Sequence, residues 1–230
     1  MAHMNRYFFN RGYKRNLEGR ILVYKRVLSF IICMYIMIAS QIYPEPILHR
    51  SISFGLFFSY LFISYGSPGV KKTNKIAKYD FVFSMISITV SIYIGLNIDR
   101  IISRQIFYDE VYVLDIIFFF ITVALIIEGG RRIIGLWLPS LSILSLIYIF
   151  FGNNINGRFG HQGFSLEYIV DGLFLTSYGI WGSIIGIAAG HVMVFLIFGA
   201  FFLKSGAGDF LYNFAASIAG KARGGIAKVA

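Results

Sequence analysis

The chain has 230 residues, of which 57% are hydrophobic, 18% aromatic and only 14% charged. A water-soluble domain of that length cannot cover so much apolar surface, which excludes one. The formal net charge is +10, but the basic residues stand between apolar runs, where anionic lipid headgroups meet them, so nucleic acid is not the expected partner.

Residues 1–26 form a basic N-terminal arm, followed by the apolar run Val27–Tyr43. That run is long for a signal peptide. Pro44-Glu45-Pro46 follows it instead of a small-residue cleavage site, so it reads as an uncleaved first span. Further spans are expected at Ile47–Tyr65, Tyr79–Asn97, Val111–Ile127, Ile133–Phe151 and Ile180–Leu203. About 20 apolar residues cross a hydrocarbon core of roughly 30 Å as a helix. In lipid such runs satisfy their backbone as helices, and the short alternating segments of a barrel are not seen. The expected fold is all-α: a polytopic membrane protein with about six transmembrane helices plus an amphipathic surface helix.

With the N-terminus in the cytoplasm, only Arg50, Arg100, Arg104 and Arg158 of the 21 lysines and arginines fall outside. The positive-inside rule predicts that bias. The segment Gly152–Gly179 then lies outside. FGNNINGRFGHQGF reads as a loop. SLEYIVDGLFLTSYG reads as an amphipathic helix, capped by Ser165, on the outer surface or packed on the bundle. Its apolar side carries Leu166, Ile169, Val170, Leu173 and Phe174, and Glu167 and Asp171 are expected on the other side. Glycine becomes frequent near Leu125, which suggests a four-span module over 27–127 and a second module over 128–230.

Asp115 enters the fourth span about one turn from its outer end. It is expected to pair with Arg100 or Arg104, the alternative being a place in an ion path. Glu128, Arg131 and Arg132 share a helix face at i, i+3 and i+4 and read as a topology anchor. His49 has helical spacing to Glu45, but one such pair indicates no metal site. His191, after Gly190 in the sixth span, is an intramembrane polar candidate; a bond to a backbone carbonyl explains it as well. Gly182, Gly186 and Gly190 make a small-residue stripe for close helix packing. Cys33 is the single cysteine and makes no intrachain disulfide. No catalytic triad, phosphate loop or CxxC occurs, so nothing points to an enzyme.

At Lys204-Ser205-Gly206-Ala207-Gly208-Asp209 the sixth span is expected to end, with Lys204 at the inner surface. Gly206 and Gly208 would allow the reversal, and Asp209 would seat at the start of the next helix, FLYNFAASIAG. KARGGIAKVA follows, an apolar start that crosses nothing, as in a cut polypeptide.

EGGRRIIGLWLP, IFGAFFLKSGAGDFLYNFA and GKARGGIAKVA resemble the fused permeases of TRAP (tripartite ATP-independent periplasmic) transporters, the form that joins a four-span small subunit to a large one. The resemblance is specific from about Leu125 to Ala230; before that only the four-span, basic-inside layout agrees. It implies a multi-pass protein of a bacterial or archaeal cytoplasmic membrane, with its N-terminus inside. It implies sodium-coupled import of an organic acid anion delivered by an extracytoplasmic substrate-binding protein, with no resident cofactor. Gly206, Gly208, Asp209, Gly224, Gly225 and Lys228 are the motif candidates, and GGIAKVA is expected to open a re-entrant hairpin whose ion and substrate sites lie beyond Ala230. Two positions depart from the pattern: Ile226 stands where Pro is expected, and Asn156-Gly157 where Pro-Gly is expected. The alternative is a non-transporting membrane scaffold or assembly subunit.

Overall fold

A computed structural model describes residues 11–68, 75–155 and 157–219. Gly224, Gly225 and Lys228 lie outside the described residues. All regular elements among the described residues are helical, and the chain divides, between Ala189 and Gly190, into two compact units.

The first unit opens with α1 (Gly19–Ile42) and α2 (Pro46–Ser64). Tyr43, left-handed at φ 52°, stops α1 by turning its N–H back to Ala39. Pro46 suits the first turn of α2, and the Glu45 carboxylate caps it by accepting from Leu48 N at 2.8 Å. Glu45 is thus spent as a cap and is not a co-ligand for His49, which instead meets the Tyr35 hydroxyl at 3.1 Å. α3 (Lys78–Leu96) and the short α4 (Ile98–Ser103) follow.

α5 (Val113–Ile133) runs through the expected end at Ile127 and stops only where Gly135 turns left-handed at φ 95°. It therefore crosses the proposed 127/128 module boundary without a break. Because α5 takes these residues, the expected fifth span shrinks to α6 (Trp137–Phe151), 15 residues long. Such a helix is about 22 Å long, short of the hydrocarbon core. Among the described residues, five helical runs are long and apolar enough to cross a membrane: α1, α2, α3, α5 and the run Ser183–Lys204.

α7 (Leu166–Phe174) is the expected amphipathic helix. Ser165 caps it by accepting from Tyr168 N at 3.2 Å, and it packs on α5. Asp171, expected on its polar side, is buried instead. It accepts from Phe107 N at 2.7 Å and faces Arg104 at 3.5 Å. The partner that buries it lies in the α4–α5 loop, beyond any periodicity within α7. α8 (Ser183–Ile187) closes the unit.

α2 and α3 pack as an antiparallel pair through small polar residues. Ser59 and Ser84 share a hydrogen bond at 2.6 Å, and the Ser91 hydroxyl donates to Ser51 O at 2.5 Å. A Cβ at Gly55 would stand 2.1 Å from Ser91 Oγ, so glycine sets that approach. Close packing and buried hydrogen bonds replace the hydrophobic drive that lipid does not supply. Phe54, Phe62, Ile94, Phe119, Phe174 and Trp181 form the core. Large apolar side chains on the outer faces, such as Phe30 and Leu96, are left for lipid.

The second unit carries α9 (Met193–Lys204) and α10 (Ala207–Ala219). A π-helical turn, Ala188–Val192, precedes α9 and contains His191.

Candidate functional site

Ionisable side chains inside lipid are costly, so those that the bundle buries are where a role is sought first. They gather at the two ends of α5.

At its C-terminal end, Glu128, Arg131 and Arg132 are joined by Arg15 from the arm and Asp80 from the first turn of α3. Arg131 donates to both Glu128 oxygens at 2.8 and 2.9 Å and to Ser67 Oγ at 2.9 Å. Arg132 Nε donates to Glu128 Oε1 at 2.7 Å, and its Nη1 meets Asp80 Oδ1 at 2.6 Å. Arg15 also pairs with Asp80, so that carboxylate sits between two guanidinium groups. Arg15 and Arg132 further donate to the carbonyls of Phe62, Ile63 and Tyr65 at the end of α2, where the helix dipole favours a cation. The rings of Phe62 and Phe83 face the Arg132 guanidinium at 4.9 and 5.7 Å.

The arm reaches this cluster as extended chain. Arg15 N donates to Ser64 O at 2.9 Å, Gly66 N to Tyr13 O at 2.9 Å and Gly12 N to Arg132 O at 2.7 Å. Spacing along α5 leads to Glu128, Arg131 and Arg132. It does not lead to Arg15 and Asp80, whose single hint is a lone carboxylate at the start of a span.

At the N-terminal end of α5, Asp115 is fully buried. It accepts from Arg100 at 2.7 and 3.0 Å, from the Tyr93 hydroxyl at 2.5 Å and from Tyr112 N at 3.0 Å. These hydrogen bonds fill the acceptor sites of a carboxylate, which suits a structural pin better than a step in an ion path. Of the two expected partners, Arg100 takes Asp115, while Arg104 turns to Asp171 and to Asp109 O at 2.8 Å. Hydrogen bonding to Asp115 holds the Arg100 pKa above its ordinary value.

Within the second unit, Gly206 alone makes the reversal, left-handed at φ 75°. Gly208 lies inside α10 and Asp209 in its first turn, where a carboxylate meets the positive end of the dipole. His191 is exposed within the π turn, a helix irregularity frequent at functional sites. Of the expected glycine stripe, Gly186 meets the Arg50 side chain of α2. No group of three or more His, Cys, Asp or Glu able to hold a metal ion occurs among the described residues.

Residues 119–230 match the family model described as "Tripartite ATP-independent periplasmic transporter, DctM component". No curated protein and no solved structure matches the chain.

Proposed function

We propose that this chain is part of a TRAP transporter permease, a reading that rests on the family match over residues 119–230. In this reading the permease uses a sodium gradient to import an organic acid anion handed over by an extracytoplasmic binding protein. The described helices act as its membrane-embedded frame. Sodium and the anion bind where broken helices expose carbonyls and N–H groups near the midplane, outside the described residues. The N-terminus and both lysine-bearing turns face the cytoplasm of a bacterial or archaeal cell.

The observation that carries this reading is the family match from residue 119. It begins inside α5, the helix that the two ion clusters tie to the arm, α3 and α4. Vesicles from cells expressing a permease that contains this sequence and the hairpin expected after it, together with the binding protein, are expected to accumulate labelled mono- or dicarboxylates only when sodium is outside. Uptake that ignores sodium, or proceeds without the binding protein, would overturn the mechanism.

A second reading, a frame without transport of its own, draws support from the saturation of Asp115, which leaves that carboxylate no free site for an ion.

A further inference from the structure

Arg50 differs from Arg100 and Arg104, two other arginines expected at its end of the bundle. Arg100 and Arg104 each face a carboxylate. Arg50, in the second turn of α2, donates from Nη1 to main-chain carbonyls instead, to Trp181 O at 2.7 Å and, more weakly, to Ser177 O at 3.5 Å. Those carbonyls belong to the turn that leads from α7 into α8. The guanidinium passes over Gly186, where an added Cβ would stand 2.8 Å from Arg50 Nε and 3.2 Å from its Cζ. The glycine therefore has a specific occupant, an arginine side chain lying where any other residue would place its Cβ.

The turn is held from within as well. Trp181 is fully buried, its indole N–H donates to Phe174 O at 2.7 Å, and its ring meets Phe54 edge-on at 5.5 Å. Phe54 is one turn along α2 from Arg50, so one helix supplies both a polar and an apolar contact to the same tryptophan. Arg50 lies outside the family-matched stretch and Ser177–Gly186 lies within it.

We propose that Arg50 is a positioning residue, a clasp that fixes the Ser177–Gly186 turn, and with it the entry to the last span, onto α2. A planar guanidinium suits this task because Nη1 reaches the two carbonyls while Nε, Cζ and Nη2 lie over the glycine; a lysine ammonium is a point charge on a flexible stem. The value of the clasp for transport rests on the function proposed above, but the clasp itself is measured without transport.

The chain has two tryptophans, and the other, Trp137, is 71% exposed. In a Trp137→Phe background, emission from Trp181 reports on the turn alone. In reconstituted full-length chain, Arg50→Ala is expected to raise acrylamide quenching of Trp181 several-fold and shift its emission to the red. Arg50→Lys should restore part of the protection. Gly186→Ala should raise quenching from the opposite side of the contact, and it decides the matter should Arg50→Ala fail to fold. Arg100→Ala, which removes an ion pair that does not touch Trp181, should leave quenching at the parent level. Quenching unchanged in Gly186→Ala and in a folded Arg50→Ala, or raised as much by Arg100→Ala, would overturn the clasp. Normal uptake with raised quenching would keep the clasp and remove its link to transport. Absent uptake with a protected Trp181 would count against the transport reading only.

Discussion

Asp80 and Arg132 meet at 2.6 Å with both side chains fully buried, joining the start of α3 to the end of α5. Asp80 also answers Arg15, so its loss would leave two guanidinium groups without their shared carboxylate. Removing one partner of a buried pair costs about 3–5 kcal/mol, because the remaining charge stays desolvated. Asp80→Ala is expected to lower the melting temperature of the detergent-solubilised protein sharply, and adding Arg15→Met should recover part of the loss. A melting curve for Asp80→Ala that overlays the parent would remove the cluster from the account of stability.

The opposite end of α5 gives a graded series. Tyr93→Phe deletes one hydrogen bond to a charged acceptor, worth about 1.5–3 kcal/mol. Asp115→Ala deletes every bond that carboxylate accepts and is expected to cost more, though Arg100, 21% exposed, regains some hydration. Asp115→Asn keeps one acceptor oxygen and should fall between them. Unfolding midpoints in detergent test the order; Tyr93→Phe costing more than Asp115→Ala would contradict the pin.

Gly206 and Gly208 are expected to respond with opposite sign. Gly206 is left-handed, so Gly206→Ala should cost about 1–2 kcal/mol and loosen the α9–α10 turn. Gly208 is helical, and an added Cβ would meet the Phe202 ring at an ordinary 3.8 Å. Gly208→Ala should therefore stabilise α10, by about 1 kcal/mol at most. Proteolysis at the turn and helical circular dichroism report both. Equal behaviour of the two variants would show that backbone conformation is not what separates them.

Topology can be read with impermeant thiol reagents after Cys33→Ser. Cysteines placed at Lys75 and Lys204 should be protected in intact cells, and one at Gly160 should be labelled. Labelling at Lys75 from outside would invert the orientation.

Much of this layout was legible from residue order. The apolar runs place α1, α2, α3 and α5 to within a few residues, apart from the earlier start of α1 and the later end of α5. Ser165 caps α7 as its position suggests. Asp115 finds Arg100 because both lie near the same membrane surface in a short stretch of chain. The pattern failed where a side chain answers a distant partner. Asp171 follows the polar face of α7 by spacing, yet it is buried by Arg104 and the Phe107 amide. Arg15 counts as one more arm cation by composition, yet it is buried against Asp80.

The sequence alone determined the solvent, the helical class, the approximate spans and, through the motifs from EGGRRIIGLWLP onward, the family resemblance. Each of these follows from transfer energies that add residue by residue, or from short local patterns. Tertiary structure alone decided which charges share a cluster, that α6 is short, and that an arginine of α2 crosses Gly186 to reach Trp181. Those outcomes depend on approach between segments far apart in the chain. A buried charge is tolerable only where a partner meets it in space, and no count along the chain registers that meeting.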